Sequence, residues 1–284
     1  MNWFDEDVSV SAKLRLGVER WICEDQTRYQ KVQIFENGTF GRVLVLDGII
    51  QTTERDEFIY HEMIAHPPIL AHGGARRVLI IGGGDGGALE EVLKQPVEKV
   101  TLVEIDARVI ELCREHLPSI GKGAFDDPRT ELIIGDGAAF VAETNERFNV
   151  IIVDSTDAAA GGPGYVLYES DFYTDCRRCL APDGIFVSQN SVPFFPAEAE
   201  ELKKACPRMR EVFPDMTLYV APVPSYEGGF MVFGWAGFST EPREVPLETI
   251  RQRFEAVRLD TKYYNPAIHL AAFALPTYIQ EMMA

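Results

Sequence analysis

Four apolar runs of this chain each end in a carboxylate, a group that binds cations or accepts hydrogen bonds from hydroxyls and amines. Val78-Leu79-Ile80-Ile81 leads into Gly82-Gly83-Gly84-Asp85-Gly86-Gly87, and Val103 is followed by Glu104-Ile105-Asp106. Ile134 runs into Gly135-Asp136-Gly137, and Val153 into Asp154-Ser155-Thr156-Asp157. In an open α/β sheet, ligands sit beyond the carboxyl ends of the strands, so chemistry is expected here. A glycine turn of the first kind normally brings backbone N–H groups to a pyrophosphate. Asp85 would set like charge a few ångströms from that phosphate, a repulsion of about 1 kcal/mol or more even at high effective dielectric. The ligand expected is therefore uncharged or cationic. An S-adenosyl compound fits, with adenine, ribose, a sulfonium, often an ammonium and no phosphate.

The other strand ends supply matching groups. Glu104, about 20 residues beyond the glycine loop, can accept from both ribose hydroxyls. Asp136 can take the exocyclic amine of adenine, with Gly137 allowing close backbone approach. Asp106 reads instead as the N-cap of a helix starting near Ala107. So many carboxylates repel one another unless cations occupy the site. Magnesium belongs beside a phosphate, which Asp85 disfavours, so amines are the expected occupants and no metal is expected. Asp154 and Asp157 can hold two nitrogens or polarise one.

The formal charge of −17 over 284 residues disfavours nucleic acid and anionic membrane as partners and favours a cationic substrate. No apolar run reaches the length of a membrane span, and the start, Met1-Asn2-Trp3-Phe4-Asp5-Glu6, lacks the basic-then-apolar pattern of a signal peptide. A soluble cytoplasmic protein with reduced cysteines is expected. Cys176 and Cys179 have redox-motif spacing but fall inside an expected helix. His61 and His66 are five apart, too far around a helix for the zinc-binding spacing of four.

These groups need elements to hold them. Residues 29–35 and 41–46 alternate as two strands around the turn Glu36-Asn37-Gly38-Thr39, within a β-rich start. A helix from Asp56 is expected to end near Pro67-Pro68. From Arg77 the pattern becomes β-α alternation, with strands over 78–81, 100–103, 130–134, 150–153, 185–188, 217–221 and 230–235, the last two an edge hairpin. The fold class is α/β: a methyltransferase-like Rossmann domain with a mostly parallel sheet (73–284), preceded by a small antiparallel β domain (1–72).

At this point the chain resembles the spermidine synthases and related aminopropyltransferases, most closely the bacterial type. The resemblance is carried by Tyr29-Gln30, Val45-Leu46-Asp47-Gly48, segment 51–62 (Gln-Thr-Thr-Glu-Arg-Asp-Glu-Phe-Ile-Tyr-His-Glu), the glycine loop, Glu104-Ile105-Asp106, Asp136-Gly137, Asp154-Ser155-Thr156-Asp157 and Tyr263-Tyr264-Asn265-Pro266. It implies transfer of an aminopropyl group from decarboxylated S-adenosylmethionine, as co-substrate and with no prosthetic group, to putrescine, giving spermidine and methylthioadenosine. It also implies a homodimer or homotetramer. For the donor it implies contacts from Gln30, Gln51, Gly82, Gly84, Glu104, Asp136 and Gly137, with Asp85 and Asp154 on the ammonium. For the acceptor it implies Asp154, Tyr60 and the backbone at Ser155 near the attacking nitrogen, Asp157, Gln189 and Tyr226 on the distal ammonium, and His61 as a wall. Asp154, Tyr60 and Asp157 are the implied catalytic set.

The family's Asp-Pro-x-Gly-Pro continuation is replaced after Asp157 by Ala158-Ala159-Ala160-Gly161-Gly162-Pro163, and Glu90 stands where relatives commonly carry arginine. The first change leaves the acceptor open to cadaverine, agmatine, diaminopropane or spermidine. An amine N-methyltransferase using S-adenosylmethionine is the alternative from another class, disfavoured because the donor's carboxylate would meet Asp85 and Asp154.

Overall fold

The computed structural model describes residues 2–156 and 164–283. The N-terminal part is antiparallel, as expected. Strands β1 (Asn2–Ser9) and β2 (Ala12–Val18) form a hairpin, while β3 (Arg20–Gln26), β4 (Lys31–Asn37), β5 (Gly41–Leu46) and β6 (Ile49–Thr53) form a four-stranded sheet. Helix α1 (Glu57–His72) follows and packs on α2 (Gly87–Leu93) of the second part. There β7 (Arg77–Gly82), β8 (Lys99–Glu104), β9 (Thr130–Ile134), β10 (Phe148–Asp154) and β11 (Leu180–Gln189) run parallel. They are joined through α3 (Ala107–His116), α4 (Pro118–Gly121), α5 (Gly137–Glu143) and α6 (Ser170–Cys179). After α7 (Pro196–Val212), β12 (Asp215–Pro222) and β13 (Phe230–Gly237) make the expected antiparallel edge hairpin.

Among the described residues the large sheet has the order β12-β13-β11-β10-β7-β8-β9. Its strands alternate between two apolar layers. Val78, Ile80, Val150 and Ile152 face the core with α1 and α2, while Leu79, Ile81, Ile151 and Val153 face that with α6. The chain moves outward from β7 through β8 to β9, then returns to β10 on the other side of β7. That reversal opens a crevice between the carboxyl ends of β7 and β10. Gly82 and Asp154 are register partners at this point.

Helix α1 departs from the expectation. It does not end near Pro67-Pro68 but continues to His72, closing at Gly73 in the left-handed conformation. Pro67 has no N–H to give to the Met63 carbonyl four residues back. The Tyr219 hydroxyl donates to that carbonyl instead, at 2.9 Å, and burial of nearly every α1 side chain stabilises the remainder. Strand β9 also differs from its buried neighbours, for it forms an edge and leaves Leu132 and Ile134 exposed.

Candidate active site

The crevice at the switch point is a cleft lined by Gly82, Gly83, Gly84 and Asp85 from the glycine loop and by Glu104, Asp136, Gly137, Asp154 and Ser155 from the other strand ends. Helix α1 contributes Tyr60 and His61, the N-terminal part Gln30 and Gln51, and the far wall Gln189 and Tyr226. Thus every expected site residue except Asp157 reaches one cleft; Asp157 lies outside the described residues. The loop is tied to β10, since the Gly83 N–H donates to the Asp154 carbonyl at 2.8 Å. A Cβ on Gly82 would come 2.1 Å from that same carbonyl oxygen, so only glycine fits there.

Asp85 and Asp154 meet across the loop. The Tyr60 hydroxyl donates to Asp154 Oδ1 at 2.6 Å. Burial and then the Asp154 charge push the Tyr60 phenol well above its usual range, so it stays a donor. Loss of solvent, followed by the charge of Asp85, raises Asp154 to about 6, although the His61 cation and the Tyr60 hydroxyl pull the other way. His61 is buried between two carboxylates, with Nδ1 2.8 Å from Glu57 Oε2 and Nε2 3.3 Å from Asp85 Oδ2. Burial disfavours its charge, but Asp85 and Glu57 together outweigh burial and raise it well above the usual histidine range. Asp85 is correspondingly lowered: burial opposes this, and the His61 charge and the Gly87 N–H overcome it. Polar atoms of His61, Asp85 and Asp154 all lie within 4.8 Å of one another. The aspartates present negative charge to the cleft, and both ring nitrogens of His61 are already engaged.

Glu104 is buried at the end of β8, where Oε1 accepts from the Asp106 N–H at 2.8 Å. Burial raises it to about 7; the Asp106 N–H opposes this, and the Asp106 and Asp154 charges add to it. Asp106 caps α3 as expected, accepting from the Arg108 N–H, and its other oxygen accepts from Thr27 and Gln30. The Gln30 amide is thus tied to the start of α3 at the margin of the cleft that it lines. Asp136 is exposed and caps α5 through Ala138 and Ala139.

Two expected acceptor residues are engaged in holding the wall. The Gln189 Nε2 donates to the Ser155 carbonyl at 2.7 Å and to the Tyr168 hydroxyl at 2.8 Å, and its Oε1 accepts from the Ser191 N–H. The Tyr226 hydroxyl donates to the Gln51 carbonyl, and its loop is fixed by Asp56, which accepts from Ser225 N–H and Oγ. The sequence reading missed Glu57, Glu6, Tyr168 and Glu227. Glu57 was visible as an i, i+4 partner of His61. Glu6 and Glu227 line the same cleft from opposite ends of the chain, and local pattern carries no sign of that. Glu90 pairs with Lys94 and Lys122, outside the cleft lining.

Residues 57–249 match the spermine/spermidine synthase domain, and residues 2–54 match the spermidine synthase tetramerisation domain. Polyamine aminopropyltransferase 1 of Pseudomonas aeruginosa is 54% identical over 268 residues, covering 94% of this chain and 92% of the relative. The polyamine aminopropyltransferase of Pseudomonas syringae pv. tomato is 52% identical, with 93% and 92% covered. The crystal structure of a spermidine synthase in complex with the transition-state analogue AdoDATO superposes with a TM-score of 0.93 at 38% identity, over 99% of this chain and 94% of that one. The spermidine synthase from Thermotoga maritima gives 0.89 at 37% identity, with the same coverage.

Proposed function

We infer the reaction from one premise: the chain belongs to the spermidine synthase family and is a polyamine aminopropyltransferase. Its substrates are decarboxylated S-adenosylmethionine and putrescine, and its products are spermidine and methylthioadenosine. The observation that carries this reading is the meeting of Asp85, Asp154 and Tyr60 beside a glycine loop whose own aspartate would repel a phosphate.

The residues divide the work as follows. Glu104 accepts from the ribose hydroxyls, Asp136 and Gly137 take the adenine, and Gln30 and Gln51 close the donor side. Asp85 and Asp154 hold the donor's ammonium. The acceptor nitrogen lies near Tyr60, Asp154 and the Ser155 carbonyl, with Tyr226 toward its far end, the end for which the family resemblance also implies Asp157; Gln189 supports that wall by holding Ser155. An ammonium cannot attack carbon, so Asp154 takes one of its protons, and Tyr60 keeps the carboxylate aimed. The nitrogen lone pair then forms the bond to the propyl carbon. The carbon–sulfur bond breaks with its electrons going to sulfur, which leaves as a neutral thioether and needs no acid. Positioning in line supplies much of the remaining acceleration.

Residues 2–54 carry self-association, supported by the exposed Trp3, Val10 and Trp21 and by the match to a tetramerisation domain. A cytoplasmic location is proposed; among the described residues no helix is long and apolar enough to cross a membrane, and all five cysteines are unpaired. The test is incubation of purified protein with decarboxylated S-adenosylmethionine and a panel of putrescine, cadaverine, agmatine, diaminopropane and spermidine. Methylthioadenosine release with highest kcat/KM for putrescine is expected. Preference for another amine transfers the assignment to that acceptor, a product heavier by a methyl instead of an aminopropyl group identifies N-methyl transfer, and no turnover overturns the reading.

A further inference from the structure

The two aspartates of the cleft pose a problem of their own. Either Asp85 or Asp154 could take the proton that the attacking amine must lose, and a pair sharing it would titrate as one unit. We propose that Glu57 is a positioning residue that acts through His61, holding it as a fixed cation against Asp85 so that the amine's proton goes to Asp154. This deepens the aminopropyl-transfer reading and rests on it.

The geometry carries the argument. Glu57 opens α1, one turn before His61, and its carboxylate meets Nδ1 at 2.8 Å while Nε2 points at Asp85, 3.3 Å away. A neutral imidazole has a single N–H, so one of these contacts would set a lone pair against a buried carboxylate; the doubly protonated ring satisfies both. The ring cannot swing aside. It lies over the Cα of Gly87, the first residue of α2, whose N–H donates to Asp85 Oδ1 at 2.9 Å. Asp85 therefore has a cation and an N–H donor, whereas Asp154 Oδ1 has the Tyr60 hydroxyl. The charged and titratable groups around the cation are Glu57 and Tyr60 from α1, Asp85 from the loop and Asp154 from β10. Glu104 and the Cys113 thiol lie beyond these, with Tyr168 and Tyr226 around Tyr60. His61 is the one cation among them. Environments that separate two carboxylates in this way assign the acid–base roles.

The test has a structural readout and a kinetic one. In ligand-free protein labelled with 15N-histidine, both His61 nitrogens, assigned with His61→Asn, should keep imidazolium shifts from pH 6 to 8. A ring that is neutral by pH 7 overturns the proposal. Glu57→Gln should make His61 neutral at pH 8 and move the acid limb of kcat, with both substrates saturating, up by roughly one pH unit or more. His61→Asn should give the same limb, and the double variant no further shift. A uniform loss at every pH with the limb in place also overturns it, because that is the mark of a merely structural role. The nitrogen shifts are read without substrate, so failure to find aminopropyl transfer and failure of the Glu57–His61 device are separable results.

Discussion

The imidazole of His61 occupies the space that a side chain on Gly87 would need: a Cβ there would lie 2.2 Å from Cε1 of the ring. Gly87 is the first residue of α2, where alanine would normally favour the helix by about 1 kcal/mol. Here the ring is held on both sides by carboxylates and cannot yield. Gly87→Ala should therefore destabilise the protein, by about 1–3 kcal/mol in chemical unfolding. Gly135→Ala, whose nearest neighbour atom is 4.0 Å away, should be close to neutral. Equal effects of the two would show that the ring is free to move.

Asp154→Asn should lower kcat/KM by roughly 10²-fold or more, as expected for loss of a general base. The same change should stabilise the ligand-free protein at pH 8. Asp154 is raised from 3.8 to about 6, so the native state keeps a proton that the unfolded chain has released. The stability this contributes is present below pH 3.8 and lost as pH rises through about 6. Asparagine removes the charge that is costly at pH 8, a gain of about 1–3 kcal/mol that should shrink toward pH 4. Thermal melts across pH read both the sign and the window.

The free enzyme should lose donor kcat/KM in two steps on the acid side. Glu104, raised to about 7, takes its proton first and can no longer accept from both ribose hydroxyls as a carboxylate. Asp154 follows near 6, so the log–log slope steepens below that pH. Glu104→Gln should remove the upper step while raising the donor KM. A single step near 4 would mean that neither carboxylate is perturbed in solution.

Tyr60→Phe deletes the hydroxyl that donates to Asp154 at 2.6 Å. A hydrogen bond to a charged group contributes about 1.5–3 kcal/mol, so kcat should fall roughly 10- to 100-fold. That hydroxyl also favours the ionised form of Asp154, so the lower limb should move to higher pH. A changed acceptor KM with unaltered kcat would assign Tyr60 to binding alone.

The gathering of the strand-end carboxylates in one cleft was legible in the sequence because it follows from local pattern. Apolar runs of strand length place their final residues at one end of a sheet, and an aspartate inside a glycine turn disfavours a phosphate there. Asp106 as a helix cap was legible for the same reason, and the Glu57–His61 spacing lay within one helix turn. The reach of α1 was not local: Pro67 reads as a stop until Tyr219, far along the chain, supplies the missing donor.

Tertiary structure set the two aspartates apart. Asp85 and Asp154 look alike as strand ends; they differ because sheet order sets β7 beside β10, and because α1 crosses the loop with Tyr60 facing one aspartate and His61 the other. Gln189 likewise became a brace for Ser155 once the fold brought the Tyr168 hydroxyl and the Ser155 carbonyl to its amide. Charge type is written residue by residue, but proton affinity depends on distance and burial, and those exist only once the chain has folded.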